Sequence, residues 1–125
     1  MKVFSVDEAR EVLAGLRPVL AEVVEVRADA AELNLALALE AGASELGGLP
    51  ELKAAQARLD DLLTQVRAAG VELKGFAPLL VDFPAWMDGV PVLLCWLEGE
   101  PGLAWYHRAD LGFPGRRRLA DDGAT

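Results

Sequence analysis

Apolar residues recur along the first half of the chain at alternating spacings of three and four. Ala9, Val12, Leu16, Val19, Val23, Val26, Ala30, Leu33 and Leu37 form the stripe, which Leu13 and Leu20 widen near its start. A repeat of 3.5 residues is that of a coiled-coil seam, so a long helix is predicted here. Ser5 and Glu8 have capping-box spacing, in which a hydroxyl and a carboxylate each satisfy a backbone amide at the helix start. Pro18 falls on the opposite side, where the loss of one amide donor predicts a kink. Gly42 is a predicted stop, and Gly47, Gly48 and Pro50 mark a turn. A second stripe, Leu52, Ala55, Leu59, Leu62, Val66 and Ala69, ends at Gly70. The short connection predicts an antiparallel helical hairpin over residues 5–70. At 1.5 Å per residue its arms would be roughly 55 Å and roughly 30 Å long. The unmatched part of the longer seam must then meet the rest of the chain or a second copy of it.

The pattern changes after Gly70. Residues 79–83, 91–97 and 102–107 are rich in β-branched, aromatic and aliphatic side chains, and Asp88-Gly89 is a two-residue hairpin signal. A three-stranded antiparallel meander with a following loop is expected over 74–118, giving an α+β domain over 1–120 and a disordered tail over 121–125. Centring the first turn on Asp88-Gly89 sets Asp82 opposite Cys95 and Phe83 opposite Leu94. A second turn of four residues, Glu98 to Pro101, sets Trp96 opposite Leu103 and Leu94 opposite Trp105. One face then carries Val81, Phe83, Val92, Leu94, Trp96, Leu103, Trp105 and His107. The other carries Leu80, Asp82, Leu93, Cys95, Leu97, Ala104 and Tyr106. Both faces are largely apolar, so both are expected to be covered. The helical hairpin can cover only one.

Composition narrows the function classes. The chain has 125 residues, a formal net charge of −8, one Cys and one His. That acidity argues against a nucleic-acid partner, whose phosphates need clustered Lys and Arg. A lone cysteine forms no intrachain disulfide and fits a reducing cytoplasm. No run approaches the ~20 apolar residues of a membrane span, and the first residues lack the apolar stretch of a signal peptide. The only Cys, the only His, all three Trp and the only Tyr lie between Lys74 and Arg118, so any specific chemistry is expected there.

The strings LVDFPAWMDGVPVLLCWLEGEP and YHRADLGFPGR resemble the bacterial domain-of-unknown-function family 2203, as does the opening VDEAREVLAGLRPVL. The shared elements include Phe83 and Pro84 of VDFP, Gly89, Trp96, the Gly99-Glu100-Pro101 turn, His107, and Gly112, Phe113, Gly115 and Arg116. The likeness covers most of the chain and implies no activity. It departs at Tyr106, where the family usually shows Trp, and at Arg117 and Arg118, where a polar residue and a proline are common.

Among candidate groups, a buried Asp82 must be paired, hydrogen-bonded or metal-bound. Its charge beside Cys95 would raise the thiol pKa and disfavour a cysteine nucleophile. Cys95 can equally be a small buried hydrophobe. His107 would complete a set of ligand types that zinc accepts, yet the four-residue turn points it to the opposite face. A three-residue turn, Gly99 to Pro101, would bring it across, because register decides the side of every residue on a strand. Glu98 is expected to be solvated. Glu100 is expected to pair with Arg116. The loop from Gly112 to Arg116 could approach a phosphate, but it lacks a P-loop pattern and is read as a docking loop with Phe113 in the core. The favoured reading is a cytoplasmic, self-associating binding or scaffold module, a dimer through its helices or sheet face, with a ligand or partner site on the sheet. The alternative is a small divalent-metal enzyme using Asp82, His107 and Glu100, with Cys95 as a further ligand.

Overall fold

Ser5 and Glu8 form the capping box their spacing predicts: Ser5 N donates to the Glu8 carboxylate at 2.8 Å, and Glu8 N to the Ser5 hydroxyl at 3.1 Å. In this computed structural model, which describes residues 2–39 and 44–120, helix α1 (Val6–Ala38) follows that cap. Then come α2 (Leu49–Ala68), β1 (Glu72–Phe76), β2 (Leu79–Met87), β3 (Val90–Leu97), β4 (Trp105–Arg108), a 3-10 turn (Phe113–Gly115) and β5 (Arg117–Arg118). Among the described residues the fold is α+β, with two helices and one antiparallel sheet of order β1-β2-β3-β4-β5. The predicted stop at Gly42 and the predicted tail at 121–125 lie outside the described residues. Among the described residues, no helix is long and apolar enough to cross a membrane.

The chain forms two compact units, one of residues 17–66 and one of the residues before and after them. In the 17–66 unit, Ala30, Leu33 and Leu52 are buried together with Ala55 and Leu59 packed against them. Arg58 donates to both carboxylate oxygens of Glu22, at 2.6 and 2.8 Å. The buried line of α1 departs from the predicted seam. Leu13 and Leu20 are buried, Val12, Val19 and Val26 are half-buried, and Leu37 is exposed.

The other unit holds the sheet, the first turns of α1 and the end of α2. It has five strands rather than three, and the two unforeseen ones are its edges. β1, ELKGF, has no apolar alternation, and its pairing with β2 slips between Leu73 and Gly75, leaving Lys74 as a bulge. A Cβ on Gly75 would stand 2.9 Å from the Pro78 carbonyl oxygen, so the turn into β2 requires glycine there. β5 is two exposed arginines paired with Trp105 and Tyr106. β2 also runs four residues beyond the expected end at Phe83. Pro84 is tolerated because its carbonyl faces the side on which β1 has already ended, where it accepts from Phe4 N at 2.8 Å.

The β2–β3 hairpin has the expected register, with Asp82 opposite Cys95 and Phe83 opposite Leu94. Asp88 and Gly89, at φ 53° and 76°, supply the two left-handed residues that a tight hairpin turn requires. The β3–β4 register differs from the favoured four-residue turn by one residue: Cys95 opposes Trp105, Leu94 opposes Tyr106 and Leu93 opposes His107. Three contacts of Glu100 impose this. Its N–H donates to the Leu97 carbonyl at 2.9 Å, its carboxylate accepts from Leu97 N at 2.7 Å, and its carbonyl accepts from Trp96 Nε1 at 2.9 Å. Gly99, at φ 97°, makes that reversal possible. Residues 102–104 stay outside the ladder, where Arg10 donates to the Leu103 carbonyl at 3.1 and 3.2 Å. Trp105 and His107 therefore lie on the Asp82 face, and Tyr106 on the Phe83 face. On the Phe83 face the Phe4 ring meets Phe83 edge-on, 5.4 Å between centroids.

Candidate functional site

One row of directly opposed residues crosses the whole sheet: Glu72, Asp82, Cys95, Trp105 and Arg118. His107 stands in the next row, opposite Leu93, on the same face. Asp82, Cys95 and His107 are all buried, and one donor atom from each lies within 4.8 Å of the other two. The structure thus takes the one-residue alternative at the second turn and brings the three together. Neighbouring strands make this possible, since opposed β-carbons on such strands are about 4.5–5.5 Å apart.

The surroundings of each group define its state. Burial pushes the Asp82 carboxyl above the usual carboxylate range; a hydrogen bond from the Cys95 thiol, His107 and Lys74 oppose the push, and Glu72 adds to it. The Cys95 thiol is pushed up to about 12, by burial first and the Asp82 charge second, so at neutral pH it remains a thiol and is no nucleophile. His107 Nδ1 lies 3.0 Å from the Arg108 carbonyl, which can only accept, so that nitrogen carries the proton. Nε2 stands 3.6 Å from Asp82 Oδ2, too far for a hydrogen bond. Asp82 Oδ1 is buried without any hydrogen-bond partner. A carboxylate oxygen left this way is costly unless something else satisfies it.

Donors bound tetrahedrally to zinc at about 2.0–2.3 Å stand about 3.3–3.8 Å from one another. The 3.6 Å between Nε2 and Oδ2 already matches that spacing. The set of carboxylate, thiol and imidazole suits zinc or a similar first-row divalent ion better than magnesium or calcium. The Arg108 carbonyl holds the His107 ring from behind, as an outer partner holds the ring in histidine metal sites.

Glu100 and Arg116 belong to a separate cluster. Arg116 Nη2 donates to the two Glu100 oxygens at 2.7 and 3.0 Å and to the Cys95 carbonyl at 3.3 Å. Its guanidinium also lies over the rings of Trp105 and Phe113, at 4.9 and 4.8 Å. Glu100 is thereby committed to the turn and its arginine, and it is not one of the three converging donors. Two further expectations are corrected. Glu98 is not merely solvated: it is half-buried, and its carboxylate accepts from Leu79 N at 2.9 Å, capping the start of β2. Phe113 is not in the core but 40 % exposed, because Pro114 and Gly115 turn the loop into a single 3-10 turn at the surface.

Sequence reasoning missed Glu72 and Lys74. The Lys74 ammonium contacts Glu72 Oε1 at 3.1 Å and Asp82 Oδ2 at 3.8 Å. The available signal was the Glu-x-Lys spacing, which puts both charges on one side of an extended segment. It went unread because the segment does not look like a strand. A cavity of about 280 Å³ opens beside this pair, lined by Glu72, Lys74, Pro84 and Leu93 among others.

The family model described as an uncharacterized conserved protein, DUF2203, matches residues 2–119. No curated protein and no solved structure matches the chain.

Proposed function

This chain belongs to the DUF2203 family, and from that premise we propose that it is a metal-binding protein that takes one divalent ion of the zinc class through Asp82, Cys95 and His107. The observation that carries the reading is the convergence of three buried donors of different chemistry from three adjacent strands, with Asp82 Oδ1 unpartnered among them. Binding replaces the thiol proton with the metal, so loading releases a proton and strengthens as pH rises. The lone thiol fits a reducing cytoplasm, where it stays available as a ligand. Glu100, held by Leu97 N and Arg116, is not among the three converging donors.

The test is native mass spectrometry of untagged protein purified without chelators, followed by Co²⁺ titration. One metal per chain and a thiolate-to-cobalt charge-transfer band are expected. Asp82→Asn, Cys95→Ser and His107→Gln should each weaken binding tenfold or more. Absence of stoichiometric metal, or binding indifferent to all three substitutions, overturns the reading.

A second reading, self-association through the helices, is favoured by the exposure of Leu35, Leu39 and Leu49 at 59 %, 65 % and 53 % in the 17–66 unit. The Glu22–Arg58 pair and the shared burial of Leu33 with Leu52 support an antiparallel coiled-coil hairpin there. Light scattering should find a homodimer that Leu35→Glu with Leu39→Glu converts to monomer. A wild-type monomer at all concentrations overturns it.

A further inference from the structure

The three buried donors leave one tetrahedral position unfilled, and two charged residues of β1 outside that group stand beside Asp82. Glu72 is directly opposite Asp82 on β1, so their side chains leave the sheet on the same face. Between them stands Lys74, the bulged residue, whose ammonium touches both carboxylates. Glu72 and Lys74 are 41 % and 45 % exposed at their side chains, whereas Asp82 beneath them is 2 % exposed. Glu72 and Lys74 also line a cavity open to solvent, so this edge of the sheet is reachable from outside.

The geometry points to Glu72 as the fourth ligand of the site and to Lys74 as a tethered cation that competes with the metal for Asp82 and Glu72. This rests on the metal reading above and extends it to how the ion is held and exchanged. Without metal, the ammonium bridges the two carboxylates and offsets their mutual repulsion. A divalent ion bound to Asp82, Cys95, His107 and Glu72 takes over that role at shorter range. Lys74 must then swing outward, which its exposure permits. Three anionic ligands, two carboxylates and one thiolate, exceed the ion's charge by one, and the displaced ammonium, still near the site, balances the excess. Four protein ligands close the coordination sphere, as in binding or structural zinc sites rather than catalytic ones, which keep a position for water. Competition by Lys74 holds affinity below what four such ligands would otherwise give, so the ion stays exchangeable.

The experiment is Co²⁺ titration of the full chain, followed by absorption, for wild type, Lys74→Met, Glu72→Gln and His107→Gln. Thermal melts of the metal-free proteins confirm folding, since Glu72 and Lys74 lie at an exposed edge. Lys74→Met should tighten binding about tenfold and Glu72→Gln weaken it about tenfold. Glu72→Gln should also reduce the intense visible bands of tetrahedral cobalt, which a role confined to surface charge would leave unchanged. If wild type binds Co²⁺ and His107→Gln does not, yet both edge variants bind and absorb like wild type, the inference fails and the metal reading stands. If no protein in the series binds Co²⁺, both fail.

Discussion

The Asp82 face of the sheet carries two polar clusters that differ in how fully they are satisfied. At the β3–β4 turn, Glu100 accepts from Leu97 N and from Arg116, and Arg116 reaches on to the Cys95 carbonyl. The Arg116 Nε makes no hydrogen bond, but its guanidinium lies over two aromatic rings. At the sheet centre, Asp82 keeps one oxygen without a partner, its carboxyl is pushed up by burial, and its contact with His107 is 3.6 Å long. A cluster that answers almost all its own demands stabilises a turn. One that leaves a buried oxygen unanswered lowers stability.

The contrast can be broken by substitution. Removing Glu100 should have the largest effect: Glu100→Ala frees a part-buried arginine and an amide together and should cost about 2–4 kcal/mol in urea unfolding. Reversing the pair as Glu100→Arg with Arg116→Glu should recover only part of that, because the Leu97 amide still loses its acceptor. If Glu100→Ala is neutral, the turn cluster is not structural.

Asp82→Asn should do the opposite and raise the melting temperature of the metal-free protein by a few degrees at pH 7. The sign follows from linkage. A carboxyl whose folded pKa is raised contributes its stability fully below its unfolded pKa and loses it as pH rises through the folded value. The advantage of Asp82→Asn is therefore largest above the raised folded value, shrinks as pH falls through it and is gone below about 4. A lower melting temperature for Asp82→Asn across the whole range would make the central cluster structural too.

Cys95, fully buried with its thiol pushed up to about 12, should resist thiol reagents at pH 8 until the protein unfolds. Rapid labelling of the native protein would show that the face opens locally. The smallest effect belongs to the exposed Glu22–Arg58 pair, where Arg58→Ala should melt within error of wild type.

Much of the α+β fold is legible in the sequence because it rests on local signals. The Ser5–Glu8 cap, the apolar stripes and the Asp88-Gly89 turn each act over a few residues, and the turn alone sets Asp82 against Cys95. The edge strands are not legible, since β1 is held by pairing with β2 and carries Lys74 and Gly75 where alternation would be sought. His107 illustrates the limit most clearly. Its residue type was a ligand candidate from the start, but its side depended on whether Glu100 closed the turn, and that is decided by a carboxylate folding back onto Leu97. Lys74 and Glu72 escaped for the same reason as β1: a charge on an unrecognised strand has no face.

The pairing of β3 with β4 consequently acts as a two-way switch. A slip of β4 by one residue against β3 would send His107 to the Phe83 side and leave Asp82 and Cys95 with Tyr106 or Arg108 beside them, and a slip of two would return a ring to their side only by chance of sequence. A single carboxylate, Glu100 folded onto Leu97 N, thus stands between one chemistry of the face and another.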